Sequence, residues 1–124
     1  MTAPILDISF LYELADNDNG YVYEVIKLFL DNVPGNLLKL EKAIKETNDY
    51  EIIQRHAHAL KSSAGIIKIR GMYDGLAAIE ALARQKSGRV EMIAKFDVLL
   101  ANFNEALPLI EAEKEQKKPM RSSR

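Results

Sequence analysis

Apolar positions recur at helical spacing along almost the whole 124-residue chain. Val22, Ile26, Phe29, Val33, Leu37, Leu40 and Ile44 fall in steps of three and four, the period of a helix with one buried face. Proline removes a backbone hydrogen bond and should interrupt a helix. The stripe nevertheless passes Pro34-Gly35 without losing phase, which a helix begun afresh at Pro34 would have no reason to do. The pattern therefore predicts one helix over about 21–46, kinked near Pro34. Ile53, Ala57, Leu60, Ala64 and Ile67 predict the next, over about 49–69, with Asn48 and Glu51 spaced as a capping box and Gly71 as its stop. Met72, Leu76, Ile79 and Ala83 predict a helix over about 72–86, ending before Ser87-Gly88. The cleanest seam is Ile93, Phe96, Leu100, Phe103, Leu107 and Ile110, predicting a last helix over about 89–113 with a kink near Pro108.

Ahead of these, a short helix from about Ile8 to Ala15 follows Asp7, whose carboxylate can cap the first free amides. Asp16 to Gly20 then breaks the chain. The Asp-x-Asp spacing there is that of a calcium loop, but the glycine comes one position early and Lys27 stands where the bidentate Glu belongs, so calcium binding is rejected. No strand alternation or hairpin signal stands out. The expected fold class is all-α: an antiparallel four-helix bundle with a short additional N-terminal helix across one end. Residues 1–113 are expected to form one domain. The apolar stripe stops at Glu111, and residues 114–124 read as a charged, flexible C-terminal tail.

Composition narrows the function. Lys plus Arg number 17 against 18 Asp plus Glu, which lacks the basic footprint of a nucleic-acid binder. With no cysteine, neither a disulfide framework nor a thiolate metal site is possible. Met1-Thr2-Ala3-Pro4 opens no secretory signal, and no apolar run approaches the roughly 20 residues that span a bilayer. A cytoplasmic domain without membrane insertion is expected, and a bundle with a complete core can fold as a monomer.

The chemistry concentrates at His58-Ala59-Leu60-Lys61-Ser62-Ser63-Ala64-Gly65. At about 100° per residue, His58 lies roughly 140° from the middle of the apolar stripe of its helix and should meet solvent. His56 lies only about 60° away and should pack at the edge of the core. The two point about 200° apart, so they cannot chelate one ion from a helix, and no metal site is expected. Lys61 is one turn from His58, and Ala59, Ser62 and Gly65 keep the surroundings low. Ser62 and Ser63 lack a Gly-rich elbow, a base and an orienting group. A Gly-x-x-x-x-Gly-Lys phosphate loop is absent as well. An exposed histidine beside a lysine is, taken alone, compatible with an ordinary solvated helix face.

Arg55-His56-Ala57-His58-Ala59-Leu60-Lys61-Ser62-Ser63-Ala64-Gly65 resembles the signature of histidine phosphotransfer (HPt) domains, the carriers of two-component phosphorelays. The family pattern Ala-His-x-Leu-Lys-Gly-Ser/Ala-Ala is matched by Ala57 to Lys61, and Ala78-Ile79-Glu80 stands where the family has a later Leu-Glu. Phe29-Leu30-Asp31-Asn32-Val33-Pro34, with Leu37, Leu40 and Ile44 after it, is similar to the family's long second helix. The resemblance runs over most of the chain, from near Ile5 to Ile110. Two positions depart from it: Ser62 replaces the usual glycine after the lysine, and Lys68 replaces another near the end of that helix, which suggests a longer helix turning at Gly71.

The resemblance implies that His58 is a phosphoacceptor. It would take a phosphoryl group from a receiver-domain aspartate and pass it to another receiver aspartate, with the receiver supplying magnesium and its acidic cluster. Lys61 would offset the phosphoryl charge, and Glu80 would hydrogen-bond the other imidazole nitrogen. Ala59, Ser62 and Gly65 would form the receiver docking surface. The implied partners are receiver domains of response regulators and hybrid sensor kinases, and no cofactor is needed. Such a chain is no enzyme but a phosphohistidine carrier without ATP binding or autokinase activity. The alternative is a non-phosphorylated helical protein–protein adaptor of the same fold.

Overall fold

The computed structural model describes residues 4–119. Helix α1 spans Ser9–Ala15, α2 Asn19–Glu46, α3 Tyr50–Ala64, α4 Met72–Arg84 and α5 Arg89–Lys117. Helix α2 packs on α3 and α5, and α4 packs on the same two helices. Short connections join consecutive members, so neighbours run antiparallel and the four long helices close into a square. Helix α1 lies against α2. The expected all-α bundle with an added N-terminal helix is the fold observed.

The core is a single cluster. Val22, Ile26, Leu40, Ala57, Ile67, Met72, Leu76, Ile79, Met92 and Leu99 are all fully shielded from solvent. Helix α2 runs unbroken through Pro34, and its buried positions include all seven of the stripe from Val22 to Ile44. It starts at Asn19 because the Asp18 side chain accepts from the Tyr21 amide at 3.2 Å. Asp7 contributes at α1 as its position suggests: Oδ1 accepts the Ser9 amide at 3.0 Å and the Ser9 hydroxyl at 2.7 Å.

Several expectations are corrected. Helix α3 stops at Ala64 rather than near residue 69. Ser62, Ser63 and Gly65 are weak helix formers, and Ile66-Ile67-Lys68-Ile69 is then a run rich in β-branched residues. Lys68–Ile69 (β2) pairs antiparallel with Leu6–Asp7 (β1), with Leu6 opposite Ile69 and Asp7 opposite Lys68. The two-residue ladder is too short to show as alternation. Gly71 does not cap α3 but opens α4, at φ 76°, where a side chain is disfavoured.

The α3 start also differs. Asp49, not Asn48, is the cap, accepting the Ile52 amide at 3.1 Å; Asn48 instead accepts from the Arg89 guanidinium. On α5 the buried seam is Met92, Phe96, Leu99, Phe103, Ala106 and Ile110. Ile93, Leu100 and Leu107 only flank it. Phe96, Phe103 and Ile110 belong to both readings, and taking the next residue along at the steps between them rotates the seam toward its edge. Finally, α5 continues past the end of its apolar stripe to Lys117, through Pro108. The Tyr12 hydroxyl donates to Glu113, and the Lys117 ammonium sits over the Tyr12 ring at 5.4 Å, holding this last turn against α1. The remainder of the proposed tail, 120–124, lies outside the described residues.

Candidate functional site

Helices α3 and α4 share the most extensive packing in the bundle, and the site lies along their outer seam. Burial of Ile53, Ala57, Leu60 and Ala64 fixes the rotation of α3. His58 is thereby turned outward, with 68% of its side chain exposed, while His56 is half-buried. On α4, Met72, Leu76, Ile79 and Ala83 face the core. Glu80, adjacent to Ile79, is drawn into the α3–α4 seam and is the buried charged residue of the described chain, 5% exposed.

A carboxylate removed from water needs charged or hydrogen-bonding partners, and Glu80 has three. Its Oε2 lies 2.9 Å from His58 Nδ1 and 3.4 Å from Arg84 Nη2, and its Oε1 lies 2.8 Å from the Lys61 ammonium. The Lys61 hydrogen bond holds the Glu80 carboxyl below the usual carboxylate range, against the opposing effect of burial, with His58 contributing further. The same contact pushes the Lys61 ammonium up. Ionised Glu80 is purely an acceptor, so the hydrogen between it and Nδ1 belongs to the imidazole. In the neutral ring that leaves Nε2 with a free lone pair. Lys61 is further held with its Nζ 5.7 Å from the Tyr73 ring centroid.

Ala59 and Ser62 are exposed beside His58, and Gly65 is half-buried at the end of α3. A Cβ on Gly65 would meet nothing closer than 3.6 Å, so its consequence is the low outer surface rather than relief of an internal clash. An open recess of about 420 Å³ lies in front of the imidazole, lined by Glu51, Gln54, Arg55, His58, Glu80 and Arg84. On the other flank of α3, Val25, Leu28 and Asn32 of α2 line a shallow groove with Ser63 and Ile66. Leu28 is 58% exposed there.

His58, Lys61 and Glu80 thus come together, but Lys61 reaches the carboxylate rather than standing free beside the imidazole. Arg84 was missed by the sequence reading; its signal was the i, i+4 spacing from Glu80 on one helix. The α2 residues were missed because the phase of α2 relative to α3 is a tertiary fact. Among the described residues no group of three or more His, Cys, Asp or Glu is arranged to hold a metal ion. No helix among them is long and apolar enough to cross a membrane.

Comparison with protein-family models matches the Hpt domain over residues 24–113, which takes in α3, α4 and every residue of the His58–Glu80 site. The chain belongs to the Hpt domain family. No curated protein and no solved structure matched the chain. Hpt domains serve histidine phosphotransfer in phosphorelays, interact with receiver domains, and are phosphocarriers rather than kinases. In this Hpt domain the matched segment starts within α2 and closes within α5, so it includes all four helices of the square.

Proposed function

We propose that this chain is a phosphorelay intermediate that accepts a phosphoryl group on His58 from a receiver-domain aspartate and passes it to another receiver aspartate. The observation that carries this reading is the exposed imidazole whose Nδ1 is tied to buried Glu80. Nε2 attacks phosphorus, the new P–N bond forms, and the P–O bond to the receiver aspartate breaks, so that the aspartate leaves as a carboxylate. No proton has to move. The ring keeps its Nδ1 hydrogen and becomes cationic, and Glu80 faces that new charge. Reverse attack by a second aspartate returns the ring to neutrality.

Such transfer rests mainly on positioning and charge stabilisation. Lys61 keeps Glu80 ionised and in place, and its charge offsets part of the roughly two negative charges added by phosphorylation. The receiver supplies magnesium. Nothing in the step calls for ATP binding or autokinase activity. A receiver docks over Ala59, Ser62 and Gly65, and the groove carrying Leu28 and Ile66 extends that surface onto α2. A monomer acting in the cytoplasm, without nucleic acid or membrane insertion, fits this role.

Incubation with a phosphorylated receiver tests the reading. Acid-labile, base-stable label on this chain is the expected result. A failure to acquire label from any receiver of the source organism would leave the helical adaptor as the better description.

A further inference from the structure

The phosphoryl group on His58 has three cations within reach, and their commitments differ. The Lys61 ammonium is engaged at 2.8 Å with Glu80 Oε1 and is 23% exposed. Arg55, one turn before His58 on α3, is 73% exposed and pairs with Glu51 at 3.5 Å. Arg84 makes a longer 3.4 Å contact, is 61% exposed, and approaches Oε2, the same oxygen that faces His58 Nδ1. Both arginines line the recess in front of the imidazole.

Phosphorylation makes the ring cationic and strengthens the claim of Nδ1–H on Oε2. That weakens the hold of Oε2 on Arg84 while a dianion arrives beside it. A guanidinium meets a phosphoryl group with a planar fork of donors, which an ammonium cannot reproduce. Lys61 cannot make the same exchange without abandoning the buried carboxylate that orients the ring.

From this we infer that Arg84 is the side chain that binds the phosphoryl oxygens on His58, whereas Lys61 is a positioning residue acting through Glu80. The inference rests on the proposal that His58 is the phosphoacceptor. Arg84 thus forms a phosphoryl-binding site across the α3–α4 seam, with the recess as the space the group occupies.

The test needs no receiver. Phosphoramidate phosphorylates imidazole directly: its P–N bond breaks, ammonia leaves, and a P–Nε2 bond forms. The 31P shift of the phosphohistidine is then followed against pH in the intact protein and in Arg84→Gln, Arg84→Lys, Lys61→Gln and Arg55→Gln. A guanidinium on the phosphoryl group favours the dianion and lowers its last protonation midpoint. Arg84→Gln should raise that midpoint by about half a pH unit, the size of one solvent-exposed charge contact. Arg84→Lys should fall between, and Lys61→Gln and Arg55→Gln should move it less. A midpoint unchanged in Arg84→Gln, or moved more by Lys61→Gln or Arg55→Gln, overturns the assignment of Arg84 while leaving His58 as acceptor. Absence of phosphohistidine at His58 in the unmutated protein overturns the parent proposal, and this one with it.

Discussion

Glu80 Oε2 lies 2.9 Å from His58 Nδ1, joining a buried carboxylate on α4 to an exposed imidazole on α3. The pair spans the two helices most extensively packed on one another, so the orientation of the His58 ring is set by the core beneath it. Glu80 replaces solvent as the partner of Nδ1 and directs Nε2 outward.

Removing that carboxylate should cost both stability and transfer. Glu80→Ala leaves Lys61 without its 2.8 Å partner and opens a polar gap in the seam. The expected loss is about 1–3 kcal/mol by chemical denaturation. Glu80→Gln should keep the fold but lower the phosphorylation rate of His58, since a neutral amide does less to stabilise a cationic ring. An unchanged rate in Glu80→Gln would mean that the ring needs only a hydrogen-bond acceptor there.

The same group gives a pH dependence. Its folded-state pKa is depressed below the unfolded value, chiefly by Lys61. Its contribution is therefore fully present above the unfolded carboxylate range and is lost as pH falls through the folded value. Urea denaturation across the acidic range should show a steeper fall in stability for the unmutated protein than for Glu80→Gln. Parallel curves would show that Glu80 is not linked to folding.

Replacing Lys61 should modulate the reaction without abolishing it. Lys61→Gln is expected to change the transfer rate and phosphohistidine lifetime by about two- to fivefold, the scale of one water-accessible ion pair. A complete loss of labelling, with the fold intact by circular dichroism, would make Lys61 indispensable and contradict its supporting role.

Docking and chemistry separate experimentally. Ser62→Tyr or Leu28→Asp should slow transfer from a phosphorylated receiver, because Ser62 is exposed one turn from His58 and Leu28 is exposed in the groove on the other flank of α3. Phosphoramidate, being small, should label both variants at the unmutated rate. Equal transfer from the receiver would place its footprint elsewhere.

The number of helices, their order and the outward turn of His58 were all legible in the chain, because each helix carries one long apolar stripe and burial of that stripe decides what faces water. The phase of α5 was not, since Ile93, Leu100 and Leu107 are as apolar as their buried neighbours and only packing against α2 and α4 chooses between them. Leu99→Ala should therefore cost about 2–5 kcal/mol, the range for a buried leucine, and Leu100→Ala clearly less. The end of α3 was hidden for a different reason: Ile67 is buried whether the chain continues as helix or turns into the pairing of Ile69 with Leu6. The Glu80 contact to Lys61 could not be read at all, because it depends on how closely α3 and α4 approach.

The most direct measurement is transfer of radiolabelled phosphate from a phosphorylated receiver to the unmutated chain, His58→Gln and His56→Gln in parallel. Acid-labile, base-stable label is expected on the unmutated chain and on His56→Gln, and none on His58→Gln. Label that survives His58→Gln and disappears in His56→Gln would contradict the assignment of the exposed imidazole as the acceptor.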